Sequence, residues 1–536
     1  MTDAQFQKVS DLLRDGRMEE AQVAVSSLEA SDPEDVRVWI LEATVCEARG
    51  DLDSEREAIA NGLRCDLRNY ELYYMLGILY AYSNVNQAYL CMEQAAHYCG
   101  NAHDLAVIED ARDALRARPG FSVHGLSVII VSYNDRELMQ KNIAAVKREL
   151  PPSGGEIIVV DNHSTDGVAQ WLREQRDLRL IENGDNVGFP VACNIGYMAS
   201  EKENDIFLLN NDAVPAPGAM FWLRMGLYED VNVGAVGAVS NNASTQNLKE
   251  APHTYDACME FGATRSVPMA NPYEARCRFT GFALMVKNEA HRAVRMGKEL
   301  LDSRFSPGYF EDDDLGIRIA QAGYRQLLCH NAFVYHRGGT GGFTKNTTRA
   351  SASATSENML ASSKEEELAR GRKNFISKWN FDIWAYEAPF DDMVDLIEEK
   401  KDAHFAVLEL DAGMGVNLSL IKFRYPFSYT AGIESYPVVA GLARHMGDIL
   451  CGEAEKISFP WGEKFFDYIF ASDALYRARD PEAFLRKLER HLKPGGMLVY
   501  MTMDDEEKDM RMQRRMAEAG FSRLTIRGDL VSARKN

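Results

Sequence analysis

Residues 126–134 read LSVIIVSYN and residues 155–167 read GEIIVVDNHSTDG. Each is a run of aliphatic, largely β-branched residues that stops at a polar cluster. A short apolar run bounded by turn formers is the signature of a strand covered on both faces. Arg136–Glu149, between them, carries the spacing of an amphipathic helix. Further apolar runs lie at 178–182 and 205–209, with a helical stretch at Val168–Gln175. Strands alternating with helices from Leu126 to about Tyr335 predict an α/β domain with a largely parallel sheet. In such sheets ligands sit outside the carboxyl ends of the strands. The polar clusters fall at those ends: Ser132-Tyr133-Asn134, Asp161 to Gly167, Asn186-Val187-Gly188 with Asn194-Ile195-Gly196, and Asn210-Asn211-Asp212. They are expected to converge on one crevice.

As an ordered set, SVIIVSYN, VVDNHSTDG, NVGF with NIG, and LLNNDAVPAPG resemble the family 2 glycosyltransferases of the GT-A fold, over about residues 124–385. The resemblance implies that the strand ends hold a nucleotide-sugar donor through Ser132, Tyr133, Asn134, Asp161, Asn186, Gly188, Asn194, Asn210, Asn211 and Asp212. Asp161 suits that post because a carboxylate accepts two donors from ribose or uracil; its alternative is a helix N-cap. Gly188 and Gly196 would let backbone approach the donor and pack the following helix. Asn210-Asn211-Asp212 stands where the family carries a D-x-D metal motif. With Asn at its first position, Asp212 becomes the main carboxylate for Mn²⁺ or Mg²⁺, hard cations that want oxygen ligands and bridge a diphosphate.

Further along, Phe310-Glu311-Asp312-Asp313-Asp314-Leu315 resembles the family's F-E-D-x-D-L element. By that resemblance Asp312 is the catalytic base, Glu311 orients the acceptor or the base, and Asp314 anchors the helix. Leu315 and Ile319 should be buried, and Gly323 should end the helix. Like charges crowded together raise a carboxyl pKa and favour proton uptake. The stretch Arg278–Val286 resembles the part that lines the sugar pocket, with a plain strand and turn glycine as the alternative. His336, after a strand from Arg325, is the second candidate metal ligand, and Arg337 could offset diphosphate charge. The resemblance implies inverting displacement at the anomeric carbon.

The segments on either side differ in kind. Up to about residue 118 the chain reads as helical, with a period of 34: Asp32 recurs as Asp66, Trp39 as Tyr73, Leu41 as Met75, Ala43 as Gly77 and Gly50 as Asn84. This resembles tetratricopeptide repeats, whose stacked helix pairs bind polypeptides. Residues 340–365, rich in Gly, Ser, Thr and Ala, suit a lid or loop. From about 391 a second α/β unit begins. Phe405–Gly415 (FAVLELDAGMG), Gly432-Ile433-Glu434, Phe466–Leu475 and Leu492–Gly496 resemble the motifs of class I S-adenosylmethionine methyltransferases. Asp411 replaces the first loop glycine, Tyr476-Arg477 replaces a family His, and the short end predicts trimmed last strands. A degenerate domain for docking or stability is favoured over a working methyltransferase. The expected fold class is therefore multidomain α + α/β: helical repeats at 1–118, a GT-A domain at 119–390, and a methyltransferase-like domain at 391–536.

Composition narrows the partners. The 536 residues carry 80 acidic and 60 basic side chains, a net charge of −20. Within 1–118 there are 22 acidic and 11 basic residues, so about half of the excess lies in the helical segment. This argues against nucleic acid and anionic membranes, which need clustered Lys and Arg. No apolar run is long enough for a transmembrane helix. The start, MTDAQFQKVSDLLRDG, is not that of a secretory signal. Nine cysteines without CxxC pairs fit a reduced, cytoplasmic protein. The expected donor is a UDP-sugar. The repeats favour a protein acceptor such as a surface or flagellar protein; a lipid-linked or polysaccharide glycan is the alternative, as is a bifunctional enzyme that also uses S-adenosylmethionine.

Overall fold

The computed structural model describes residues 1–151, 154–338, 356–386, 390–503 and 505–536, with the backbone alone for 356–363. It falls into two compact units, not three: Met1–Tyr273 with Arg278–Phe381, and Glu274–Cys277 with Asp382–Asn536.

In the first unit, helices Asp3–Arg14, Met18–Ser31, Val36–Arg49, Leu52–Cys65, Tyr70–Tyr80, Val85–Tyr98 and Ala102–Arg116 follow one another through short connections, each packed on the next. The period of 34 is physical. Asp35 and Asn69 cap alternate helices, Val36–Arg49 and Tyr70–Tyr80, by accepting from Arg37 N and Leu72 N. Trp39 Nε1 donates to the Pro33 carbonyl and the Tyr73 hydroxyl to that of Leu67, the same bond one repeat apart. Caps of this kind supply partners for helix N–H groups that have none.

The helical segment is not a separate module because its later helices are welded to the central domain. Arg224 and Glu93 form a buried ion pair at 2.5 Å. Gln87 Nε2 donates to Met225 O at 2.9 Å, Asn84 Nδ2 to Tyr228 O at 2.8 Å, and Tyr73 meets Phe221 edge-on. Helix Ala219–Leu227, AMFWLRMGL, is consequently buried at every position. A helix apolar on all sides needs cover on all sides; it has repeats on one face and sheet on the other.

The central sheet runs in the order Arg179–Glu182, Gly155–Asp161, Leu126–Ser132, Asp205–Asn210, Ala283–Val286, Val233–Val239, Arg325–His336, Ala213–Pro215. The first four strands are parallel, as expected. Ala283–Val286 is antiparallel to both its neighbours, and Ala213–Pro215 is antiparallel to Arg325–His336, so the sheet is mixed. The core contains Ile129, Ile158, Val160, Leu208, Leu284, Leu315 and Ile319. Helix Glu311–Gln321 ends before Gly323, whose φ is +90°. Of the expected 340–365 loop, 340–355 lies outside the described residues, and the remainder belongs to helix Ser356–Trp379.

The second unit is a seven-stranded sheet in the order Asp448–Cys451, Tyr429–Glu434, Ala406–Leu410, Phe466–Phe470, Leu492–Met501, Leu530–Lys535, Phe521–Arg527. The last two strands are present, as an antiparallel hairpin. This corrects the expectation of a trimmed end, which rested on chain length alone. Glu274–Cys277 belongs here because Ser419 Oγ donates to the Ala275 carbonyl and Cys277 Sγ to that of Leu442.

Candidate active site

Register assembles the site. Ser132 lies opposite Asp161, and Val131 opposite Asn210, so three parallel strands end in one row. Ser132 is fully buried, its hydroxyl without a partner among the described residues. Tyr133 is partly exposed. Asn134, in the left-handed region at φ 60°, accepts from Thr165 N at 2.8 Å, and its carbonyl accepts from Asn211 Nδ2 at 3.1 Å. Asp161 is 2% exposed and holds the following turn, accepting from Ser164 Oγ at 2.6 Å and Ser164 N at 3.0 Å. It is thus a turn anchor; its remaining lone pairs are what a ribose could use. Asn210 Oδ1 is buried without a partner among the described residues.

Three expected donor residues hold other posts. Asn194 is spent on main chain: its Oδ1 accepts from Leu300 N and Leu301 N at 2.9 and 3.0 Å, and its Nδ2 donates to Leu301 O at 2.7 Å. Asn186 Oδ1 accepts from Gly188 N at 3.0 Å, fixing its own turn. Gly188, at φ +86°, is pressed against the 306–307 loop, where an added Cβ would stand 2.6 Å from Pro307 Cα. The close approach that demands glycine is protein on protein. Gly196 likewise makes room for Ile129. A strand-end motif marks where a turn lies but not whether its polar atoms face ligand or backbone. Asn162, not singled out from the sequence, joins these turns: it donates to Asn186 Oδ1 at 3.2 Å and accepts from Asn183 Nδ2 at 2.8 Å.

The pairing Ala213↔His336 brings Asp212 beside His336, with Nε2 at 3.4 Å from Oδ1. Burial opposes charge on both, but the pair interaction wins: Asp212 is held below the usual carboxylate value and His336 above the usual imidazole value. His336 Nδ1 lies 2.6 Å from the Asn242 carbonyl. A carbonyl only accepts, so the proton sits on Nδ1 and Nε2 is directed at Asp212. Phe282 stacks on the imidazole at 4.8 Å. Arg337 pairs with Asp135.

The same loop reaches the acidic helix. Phe282 O accepts from Asn210 N at 2.9 Å, and the adjacent Gly281 N donates to Asp312 Oδ2 at 2.8 Å. Asp312 also accepts from Asp313 N at 2.8 Å. The four acids divide their roles. Asp313 is clamped by Arg278 at 2.6 Å. Asp314, fully buried, takes Arg318 Nε at 2.8 Å, Trp379 Nε1 at 3.0 Å and Lys378 Nζ at 2.5 Å, the anchor expected of it. Glu311 is buried with Oε2 unpartnered among the described residues. Burial, then the neighbouring carboxylates, drives Glu311 well above the usual value. Burial raises Asp312 too, but two N–H donors and Arg278 oppose the shift. Glu311 is therefore the more strongly raised of the two, and Asp312 keeps the donors that favour its ionised form.

Tyr309 and Phe310, just before this helix, have φ of 73° and 71°. Bulky residues in the left-handed region are strained by about 1–3 kcal/mol each. Helix Ser356–Trp379 holds them: a Cβ on Gly371 would lie 2.8 Å from Phe310 Cδ2 and 3.1 Å from Tyr309 O, and Phe375 packs on Phe310.

Comparison with known proteins agrees with this architecture. Residues 127–287 match the family described as Glycosyl transferase family 2, and residues 381–532 match a Methyltransferase domain. The chain therefore carries a glycosyltransferase family 2 domain followed by a methyltransferase-type domain. It is 24% identical over 240 residues to the N-acetylglucosaminyl-diphospho-decaprenol L-rhamnosyltransferase of Mycobacterium tuberculosis, covering 39% of this chain and 75% of that protein. It is 28% identical over 137 residues to the malonyl-[acyl-carrier protein] O-methyltransferase of Calditerrivibrio nitroreducens, covering 25% of this chain and about half, 52%, of that relative. Among solved structures, a mannosyltransferase from Pyrobaculum calidifontis aligns at 20% identity over 48% of this chain and 70% of that one, with a TM-score of 0.31. Among the described residues no helix is long and apolar enough to cross a membrane.

Proposed function

We propose that the first unit is an inverting, cation-dependent glycosyltransferase that moves a sugar from a nucleotide-sugar donor, a UDP-sugar, to an acceptor hydroxyl. One observation carries this reading: residues 281–282 tie Asp312 to the Asp212–His336 pair, so a base and a cation-binding pair share one strand-end crevice.

The residues present fit Mn²⁺ or Mg²⁺. Asp212 offers carboxylate oxygen, and His336, on giving up its Nε2 proton, offers a lone pair oriented by its Nδ1 bond to Asn242, the orienting contact that ligating histidines use. Among the described residues no cluster of three or more His, Cys, Asp or Glu is placed to hold a metal, so donor phosphates and water would have to supply the other ligands. When bound, the cation stabilises charge on the departing diphosphate. Asn210 and Asn211 offer amides to ribose or phosphate, and Asp161 and Tyr133 border the nucleoside. Asp312 takes the proton of the acceptor hydroxyl as that oxygen bonds to the anomeric carbon from the side opposite the leaving diphosphate, inverting it. Neutral Glu311 keeps a second negative charge away from the base.

A protein acceptor is the first reading, on the strength of the acidic helical repeats. A lipid-linked glycan is the second, favoured by the match to the rhamnosyltransferase named above. Transfer assays with polypeptide and polyprenyl-diphosphate sugar acceptors separate the two. Asp312→Asn tests the base: transfer should fall by at least about 10²-fold, while UDP binding, read by calorimetry, should hold. Retained transfer would exclude Asp312.

A further inference from the structure

The second unit belongs by family to proteins that use S-adenosylmethionine, and its own residues show whether that cofactor fits. Three parts of the cradle can be checked. The first is the turn after strand Ala406–Leu410. Gly413 and Gly415 have positive φ, as a tight ligand-cradling loop requires, but Asp411 stands at the leading loop position with φ +52°. Its carboxylate is tied to Arg477, which also grips Asp473 at 2.8 Å. The Asp411 side chain and its tether to Arg477 occupy the leading turn position that a bare glycine would leave open to the methionine moiety.

Glu434, at the end of strand Tyr429–Glu434, is the second part. It is 4% exposed and already committed, with Oε2 accepting from Gly413 N at 2.9 Å and Oε1 from Tyr436 N at 2.7 Å. The loop N–H is taken by this carboxylate, which ties the glycine turn to the strand end and leaves only its remaining lone pairs for a nucleoside.

The third is the space above the loop. A Cβ on Gly413 would lie 2.6 Å from Tyr386 Cδ1 and 3.4 Å from Cε1, so the tyrosine ring rests on the glycine. Burial, then the nearby Glu434, Tyr436 and Asp411, push the Tyr386 hydroxyl up. Glu409 is the one exception, with Oε2 buried and unpartnered among the described residues. Burial lifts it to about 8. It is therefore neutral at pH 7, and its charge calls for no cationic ligand.

We infer that the second unit does not take S-adenosylmethionine: Tyr386 lies over the glycine loop, Asp411 with Arg477 occupies its leading turn, and Glu434 is bound to the loop itself. The unit keeps the methyltransferase fold with a self-closed cradle.

The test is binding to the full chain, read by calorimetry and by thermal denaturation with S-adenosylmethionine and S-adenosylhomocysteine. For a cradle that accepts the cofactor, ligand at about 100 times Kd should raise the melting temperature of the unit by roughly 5 °C or more. The wild-type chain should give no binding heat and no shift. The double substitution Tyr386→Ala/Asp411→Gly, with folding checked by circular dichroism, should bind at least about tenfold more tightly than wild type. Cofactor binding by the wild-type chain overturns the inference, as does a folded double variant that binds no better.

Discussion

Cutting the Arg224–Glu93 ion pair should unfold the first unit at markedly lower temperature. Both side chains are about 6% exposed, and Arg224 Nη1 meets Glu93 Oε2 at 2.5 Å. Its other contacts are weak: Nη2 reaches His124 O at 3.3 Å, and Nε has no partner among the described residues. Glu93→Gln leaves a buried guanidinium without its counter-charge, a loss of about 3–5 kcal/mol. At about 1.3 °C per kcal/mol for a unit of this size, the melting temperature should fall by roughly 4–6 °C. Much of that cost belongs to the stranded charge. The double variant Glu93→Leu/Arg224→Met, which removes both charges, should therefore recover most of the loss. Calorimetric scans of wild type, Glu93→Leu, Arg224→Met and the double variant give the coupling directly. A shift under about 1 °C for Glu93→Gln, or a double variant as unstable as the sum of the singles, would refute the argument that the repeats are integral to the catalytic unit.

The remaining expectations concern the site and its supports. Gly371→Ala thrusts a methyl against Phe310 and the Tyr309 carbonyl, so it should cost about 1–3 kcal/mol and lower kcat more than the donor KM; equal kinetics would mean the strained turn does not depend on this helix. Because burial raises Asp312, the acid limb of the kcat profile should lie above the ordinary carboxylate value of about 4, with activity rising as pH rises through it. Arg278→Met removes a charge that opposes the shift and should move the limb higher still; a limb at or below the ordinary value would contradict the burial argument. His291 is buried, with Nδ1 at 3.0 Å from the Tyr197 hydroxyl and Nε2 at 3.0 Å from Asn204 O, and burial lowers it from 6.5 to about 4. A base depressed in the folded state gives stability that is complete above 6.5 and is lost as pH falls toward 4, on the order of 3 kcal/mol in all. Denaturant titrations across that window should show this slope, and His291→Leu should flatten it.

Much of this architecture is legible in the sequence because strand-end motifs are local. LSVIIVSYN and IIVVDNHSTDG pair as adjacent parallel strands, and the 34-residue period reappears as paired caps and as the Trp39 and Tyr73 bonds. What escaped is set by long-range contact. No local signal says that AMFWLRMGL is covered on its outer face by residues more than a hundred positions earlier. Nor does one say that Asn194 spends its amide on Leu300 and Leu301, or that Gly188 faces Pro307 and not a ligand. In these cases the residue type was informative and the partner was not. The acidic helix shows the same limit: four carboxylates in a row are visible, but Arg278, Lys378 and Trp379 decide which one stays free to act. The net charge of −20 falls into place here, since half of it lies in the repeats and few acids border the crevice.

Nucleotide release from a panel of nucleoside-diphosphate sugars, with Mn²⁺, with Mg²⁺ and with EDTA, tests the central claim most directly. Donor hydrolysis or transfer should require the divalent ion, return when it is restored, and be lost in Asp212→Ala. Full turnover in EDTA, or an Asp212→Ala chain as active as wild type, would contradict a cation held by Asp212 and His336.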